Sequence, residues 1–350
     1  MGNTVDEIYM RRCIDLAQNG LGTTYPNPLV GSVIVYNNTI IGEGWHRKSG
    51  EAHAEINAIS SVKDQSLLKK SSIYVSLEPC AHYGKTPPCA LKIKDLKFKK
   101  VVIGTQDPTS KVNGKGIEII RNSGIEVVTG VMEKECKRLN KRFFTYHLKK
   151  RPYIILKWAE TLNKKIDNGR DRNHPFWISN PFSIQKTHVL RNEEQSILVG
   201  KNTALIDNPS LTTRSVYGNN PIRLLIDKNL EIPLSHSIFD DQAETFIFTE
   251  KKSQSTTHLN YFQLDFDKDL VPQIINVLYD KNIQSVIIEG GKQTLQHFID
   301  KGMWDEAMII TSPNILKNGT SAPILFGDIS YQELVGDNLI SYLKNPSTLY

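Results

Sequence analysis

Cysteine is scarce in this chain, with four in 350 residues, too few for a disulfide framework to hold a protein of this length. Long apolar runs are missing too. No stretch approaches the roughly 18 to 20 consecutive apolar residues of a membrane span, and the first twenty residues lack the apolar core of a signal peptide. Instead Ile8, Cys13, Leu16 and Ala17 recur at helical spacing. These absences argue against a secreted disulfide scaffold and a membrane protein, and the chain is expected in the cytoplasm. A third absence concerns charge. The net +6 is spread thinly, with short runs at Lys69-Lys70 and Lys149 to Arg151, and no segment interleaves basic and aromatic residues as nucleic-acid binders do. Solvated surface accounts for the excess, and a phosphorylated small molecule would be served by it equally well. No nucleic-acid partner is expected, and the oligomeric state, homo-oligomer included, is left open.

What is present is a two-domain composition. The length exceeds one ordinary domain, and 39% hydrophobic with 23% charged residues is ordinary for a protein with a substantial core. In the first part helices and strands alternate: a helix to about Asn19, strands over 30–36 and 39–45 joined at Asn37-Asn38, and a helix from about Ala52. A strand over 72–77, a helix from about Pro88, a strand over 100–104, a helix over 116–122, a strand over 125–129 and one helix over 132–146 follow. The basic stretch Leu148 to Pro152 marks a boundary, so domains are expected over 1–147 and 151–350. The second region has strands over 152–159, 196–199, 223–227 and 285–289, with helices over 181–192 and 293–301. Such alternation implies α/β units with parallel strand pairs. Cys13 and Cys136 fall in helical patterns as small buried apolar residues.

The chemistry concentrates in two short motifs, His53-Ala54-Glu55 and Pro79-Cys80, the latter followed nine residues on by Cys89. One imidazole and two thiolates form a three-ligand zinc set that leaves a fourth position for water. Zinc lowers the pKa of such a water to about 7, and a neighbouring carboxylate must then carry its proton to a leaving amine. Glu55 is that carboxylate, in the His-x-Glu and Pro-Cys signature of zinc deaminases. Pro87-Pro88 predicts that Cys89 opens a helix, where unpaired amides stabilise a thiolate. How Glu55 reaches the water is not fixed by spacing, since residues two apart do not share a helix face. The competing reading is a structural site with His82 as fourth ligand, which would have no use for Glu55.

The stretches Thr24 to Gly31, Gly44-Trp45-His46, His53-Ala54-Glu55 and Leu77 to Cys89 resemble the deaminases of riboflavin biosynthesis. General nucleoside deaminases commonly place two residues between the cysteines, and the eight residues Ala81 to Pro88 set this chain apart. The resemblance implies a cytidine-deaminase-like three-layer sandwich acting on 2,5-diamino-6-ribosylamino-4(3H)-pyrimidinone 5′-phosphate. Asn27, His46, His82 and Lys85 are its pyrimidine- and phosphate-facing residues. Asn27 offers both a donor and an acceptor to a pyrimidine edge, and Lys85 a cation to phosphate. The run from Asp107-Pro108 to Gly116 matches the family's phosphate-side loop, with Ser110 where a second proline is usual.

The second region lacks a Gly-x-Gly-x-x-Gly fingerprint after a strand, but Glu289-Gly290-Gly291 makes a tight turn into a helix whose amides suit a pyrophosphate. Leu156 to Ala159, Trp177 to Ser179, Leu190-Arg191, Ile197 to Gly200, Asp207 to Arg214 and this turn resemble the NADPH-dependent reductase fused behind the deaminase in that family. The resemblance implies a dihydrofolate-reductase-like domain that reduces ribosyl to ribityl. Lys157, Asp207 and Glu289 are then the polar catalytic candidates. Arg191, Leu211, Arg214 and Glu289 are the substrate contacts, with Arg191 and Arg214 at its phosphate, and Ala159, Trp177, Thr203, Asp207, Gly290 and Gly291 the cofactor contacts. Two departures bear on this half: Thr161-Leu162-Asn163-Lys164 replaces the usual Ser/Thr-Leu-Asp-Gly, and Pro175-Phe176 replaces a polar contact before Trp177. The expected function is hydrolytic deamination followed by reduction. The alternatives are a deaminase with an inactive or structural second domain, an RNA base editor, and a non-catalytic zinc module.

Overall fold

The computed structural model describes residues 4–83, 87–110, 112–169 and 177–348. The chain divides into two compact units at Lys150 and Arg151.

In the first unit α1 (Val5–Gln18) is opened by a Thr4–Glu7 capping box, with side-chain and backbone amides satisfied reciprocally. Then come β1 (Gly31–Tyr36), β2 (Thr39–Trp45), α2 (Ala54–Ser61), β3 (Ser72–Leu77), α3 (Cys89–Leu96), β4 (Lys100–Thr105), α4 (Lys115–Arg121), β5 (Glu126–Thr129), α5 (Glu133–Leu139) and α6 (Lys141–Lys149), with a 3₁₀ turn Gln65–Lys70 before β3. The sheet order is β2-β1-β3-β4-β5. Both pairs of β1 are antiparallel, and β3, β4 and β5 run parallel. Asn37 and Asn38 both take positive φ, as a two-residue hairpin turn of the primed type requires. Period-two alternation sorts the strands into two cores. Ile34, Ile73, Val75, Val101 and Ile103 face Ala58, Ile59, Ile93 and Ile120 of α2, α3 and α4. Val33, Val35, Tyr74 and Val102 face Met10, Cys13, Ile14 and Cys136 of α1 and α5. This is the three-layer sandwich the sequence led us to expect.

Close backbone approach sets α2. A Cβ at Gly44 would stand 2.4 Å from Ala58 N and 2.7 Å from Ala54 O, so only glycine lets this helix lie directly on β2. One expectation is corrected here. The helix anticipated over 132–146 is two helices, broken at Asn140, whose φ −99 and ψ 25 leave the helical region. Its carboxamide is engaged elsewhere.

The second unit contains β6 (Tyr153–Thr161), α7 (Pro181–Glu193), β7 (Ser196–Gly200), α8 (Lys201–Asp207), β8 (Ile222–Ile226), β9 (Thr245–Thr249), β10 (Leu259–Gln263), α9 (Leu270–Asp280), β11 (Ser285–Ile288), α10 (Lys292–Asp300), β12 (Glu306–Ser312), β13 (Asp328–Val335) and β14 (Asn338–Lys344). The order is β10-β9-β8-β7-β11-β6-β12-β14-β13. The strands from β10 to β12 are parallel, and β14 and β13 add an antiparallel edge. Their near-continuous apolar runs follow from burial on both faces. α9 and α10 cover Ile154, Leu156, Leu198, Leu224 and Ile288; Ala204 of α8 packs with Ile197, Val199, Leu225 and Ile287 on the other face. The chain passes from β6 to β7 leaving one place between them, which β11 later fills. The loops after β7 and β11 therefore open beside each other, at the kind of position where open α/β sheets hold ligands.

At the other end of this sheet Asp305 is fully buried and accepts a forked pair from Arg151 (2.6 and 2.8 Å) and the Ile154 amide at 2.9 Å. Asp305→Ala strands the guanidinium and is expected to cost the second unit about 3–5 kcal/mol. Urea unfolding would show it as a lower midpoint at unchanged slope.

A candidate zinc centre and a candidate reductase pocket

In the first unit three segments bring the predicted ligands together. His53 is the N-cap of α2, Cys89 is the first residue of α3, and Cys80 lies in the loop after β3. His53 Nδ1 stands 3.6 Å from Cys80 Sγ and 3.5 Å from Cys89 Sγ, and all three ligand atoms lie within 4.8 Å of one another. Tetrahedral zinc with Zn–S about 2.3 Å and Zn–N about 2.0–2.1 Å separates its nitrogen and sulfur ligands by about 3.5 Å. The cluster has that spacing, so the residues fit zinc and identify Nδ1 as the ligating nitrogen. The Cys89 amide, at the α3 N-terminus, donates to Cys80 Sγ at 3.2 Å. The Cys89 thiol and the His53 imidazole hold Cys80 down at about 4, while Cys89 is pushed up because it is the donor of that pair. Among the described residues this cluster has no fourth protein ligand, and His82 is exposed.

Glu55 sits in the first turn of α2, 3% exposed. Burial, with the Cys80 charge second, raises its pKa to about 7, where a carboxyl can both take and give a proton at neutral pH. Its side chain reaches the Cys89 thiol, so the geometry that spacing left open brings this acid to the cluster.

Asn27 and His46 are brought together, in a way that corrects one expectation. His46 is 2% exposed with both ring nitrogens engaged: Nδ1 lies 3.1 Å from Ala52 O, and Nε2 3.0 Å from Asn27 Nδ2. Burial lowers its pKa, so the ring is neutral, donates from Nδ1 and accepts from Asn27. Both of its ring nitrogens are thus engaged within the protein, where His46 orients Asn27. Lys85 lies outside the described residues. A second correction concerns the loop matched to a phosphate site. Buried Glu78 accepts from the amides of Asp107 (3.2 Å), Gly114 (2.9 Å), Gly116 (2.9 Å) and Ile117 (3.3 Å), so those donors serve this carboxylate. Sequence reasoning missed Glu78, although an acid one residue before the Pro-Cys pair was the available signal.

In the second unit Lys157 on β6 and Glu289 just past β11 are neighbours because Leu156 and Ile288 pair in register. Lys157 Nζ lies 2.9 Å from Glu289 Oε1. Arg191 of α7 places Nη2 3.0 Å from both carboxylate oxygens. Burial would push Glu289 up, but Arg191 and Lys157 outweigh it and hold the group at about 2. Arg191, expected at a phosphate, is thus bound to Glu289, and its Nη1 donates to Thr212 O at 3.3 Å. Arg214 is exposed, its guanidinium on the Ser210 and Thr212 hydroxyls. Its amide donates to His188 Nδ1 at 3.1 Å. Burial and the two arginines lower His188 to about 4, which keeps that ring neutral.

The Leu211 side chain, at 2% exposure, packs in the core with Val199 and Leu225, which leaves its main chain, at φ 54, as the part that can face a ligand. The β7 and β11 turns do approach each other. A Cβ at Gly290 would meet Val199 at 2.8 Å, and one at Gly291, where φ is +70, would stand 3.3 Å from Thr203 Oγ1. Gly291 caps α10, so its turn lies against Thr203 at a helix N-terminus, the kind of place where main-chain amides meet phosphate groups. Ala159 lies two residues beyond Lys157 on β6, partly buried. Asp207 ends α8, exposed, and Trp177 is 73% exposed; Pro175 and Phe176 lie outside the described residues. The Thr161–Lys164 departure has its own support. Lys164 takes φ +60, a conformation that favours glycine, and pairs with buried Glu160, which also accepts from Trp158 Nε1 at 3.0 Å.

Comparison with known proteins agrees with both halves. The family described as the RibD C-terminal domain matches residues 152–343, and the cytidine and deoxycytidylate deaminase zinc-binding region matches residues 3–105. The chain is 37% identical to riboflavin biosynthesis protein RibD of Aquifex aeolicus, over 94% of this chain and 92% of that one. It is 38% identical to RibD of Bacillus amyloliquefaciens, over 94% and 90%. Among solved structures it resembles a diaminohydroxyphosphoribosylaminopyrimidine deaminase/5-amino-6-(5-phosphoribosylamino)uracil reductase from Thermotoga maritima, with TM-score 0.89, 36% identity, and 97% and 99% of the two chains covered. For RibD of Acinetobacter baumannii the TM-score is 0.85 at 28% identity, covering 97% and 98%.

The Lys157–Arg191–Glu289 cluster carries a pH prediction independent of ancestry. A carboxylate held near 2 contributes stability that is fully present above its unfolded value of about 4.3 and is lost as pH falls toward 2. The contribution is on the order of 3 kcal/mol. Thermal unfolding between pH 5 and 2 should show a steeper loss for the native protein than for Glu289→Gln. Equal slopes would contradict the charge assignment.

Proposed function

The chain belongs to the RibD family of riboflavin biosynthesis and is an enzyme with two activities, a deaminase and a reductase, and on that premise we propose which residues do the work and on what. The substrate is 2,5-diamino-6-ribosylamino-4(3H)-pyrimidinone 5′-phosphate, whose ring amine the first unit exchanges for oxygen, with water consumed and ammonia released. The second unit then reduces the ribosyl group to ribityl with NADPH. The observation that carries this reading is the cluster of His53 Nδ1 and two cysteine sulfurs, with Glu55 buried against it.

His53, Cys80 and Cys89 hold one zinc, which when bound makes a water acidic enough to attack near neutral pH. Glu55 accepts that water's proton and delivers it to the departing amine, a round trip suited to a group whose pKa stands at about 7. Asn27, oriented by His46, reads the pyrimidine edge, and His82 and Lys85 meet the phosphate. In the second unit the cofactor, when bound, would supply the hydride that the sugar C1′ must receive. Lys157, held on Glu289, gives the proton that sugar-ring opening requires, while Arg191 keeps Glu289 ionised. Arg214 takes the substrate phosphate, and Ala159, Trp177, Thr203, Asp207 and the Gly290-Gly291 turn hold the cofactor. Two cations, Lys157 and Arg191, are gathered on one buried strand-end carboxylate, an arrangement that supports a catalytic role for this unit. The partner is a small molecule. Among the described residues no helix is long and apolar enough to cross a membrane, and we place the enzyme in the cytoplasm.

Separate assays of ammonia release and NADPH oxidation test the assignments. Glu55→Gln is expected to keep one zinc per chain, to slow ammonia release by about 10²–10⁴-fold, and to oxidise NADPH normally when given the deaminated intermediate. Lys157→Met is expected to do the reverse. Undiminished ammonia release in Glu55→Gln would remove that residue from the mechanism.

A further inference from the structure

Asn140 makes the break between α5 and α6, is 2% exposed, and spends its carboxamide on a residue 111 positions away. Its Oδ1 accepts from the Leu29 amide at 2.8 Å and its Nδ2 donates to the Leu29 carbonyl at 2.8 Å. The pair of opposed bonds reproduces what a neighbouring strand would offer, here supplied by one side chain. Only a carboxamide presents a donor and an acceptor side by side in this way. Leu29 stands two residues after Asn27 and two before β1 begins, with Pro28 between them restricting the backbone. Asn27 itself closes a turn, its amide donating to Thr24 O at 2.7 Å, and its side chain is held by His46, which in turn is tied to the Ala52 carbonyl next to His53. α6 restarts at Lys141 and packs Phe143 and Phe144 against Leu77 and Val30, seating the break against the end of β3 that leads to Cys80.

We infer that Asn140 is a positioning residue of the deaminase, fixing the backbone at Leu29 and through it where the Asn27 carboxamide stands relative to His46 and His53. It lies beyond residues 3–105 that match the zinc-binding region, so the fixture comes from the helical extension that follows the sheet. The inference rests on the reading of Asn27 given above.

A double-mutant cycle separates the two. Asn140→Asp keeps shape and acceptor but turns a carboxylate oxygen toward the Leu29 carbonyl. It is expected to retain one zinc per chain and to raise the deaminase KM about tenfold with little change in kcat, as loss of ground-state positioning does. Combined with Asn27→Ala, it should add no more than about twofold to the Asn27→Ala effect, because both act through one group. Full additivity would overturn the inference while leaving Asn27 in its role. Unimpaired deamination in Asn27→Ala would remove the reading of Asn27 and this inference with it. Loss of zinc in both Asn140→Asp and Asn140→Ser would make the residue a determinant of the fold and overturn the positioning role.

Discussion

One imidazole nitrogen and two sulfurs must meet at a spacing fixed by a metal, from segments separated by up to 36 positions, and the first unit is organised around that requirement. α2 begins at His53 and can lie on β2 because Gly44 leaves room for it. α3 begins at Cys89 because Pro88 stands before it and pre-sets the first turn. Cys80 arrives from the end of β3, and Glu78, two residues earlier in the chain, is gripped by four main-chain amides. The same buried surroundings that draw the ligands together lift Glu55 to about 7. Ligand convergence and the raised Glu55 carboxyl thus share one cause, burial at the end of the central strand β3.

The second unit answers a different constraint. A hydride acceptor and its cofactor must be brought to the same strand ends, and threading β11 between β7 and β6 puts the Gly290-Gly291 turn beside Thr203 and sets Lys157 beside Glu289. Arg191 and Lys157 together then hold Glu289 ionised against the cost of its burial.

Much of this was legible in the sequence where the determinant is local. Asn37-Asn38 announced the first hairpin, short apolar runs alternating with helical stretches announced the strands of the first sheet, and the pattern of His53, Glu55, Cys80 and Cys89 announced the cluster. What was not legible is pairing over long separation. Asn140 reads as one polar residue in a helical run, and only its contact with Leu29 explains why one expected helix is two. Arg191 reads as a phosphate ligand until Glu289 is seen against it. His46 reads as a substrate contact until its two nitrogens are found engaged. Leu211 sits in a motif full of ligand candidates, yet its apolar side chain follows the core. In the second unit β12 and β14 carry mixed burial patterns and the edge strand β13 is largely exposed, with little periodicity to read.

The account stands on an open, three-ligand zinc site. Zinc K-edge X-ray absorption on the purified protein tests this directly. It should show one zinc per chain with two sulfurs at about 2.3 Å, one imidazole nitrogen at about 2.0–2.1 Å and one light oxygen donor that is not a side chain. A shell closed by a second imidazole or a third sulfur would mark a structural site and contradict the account.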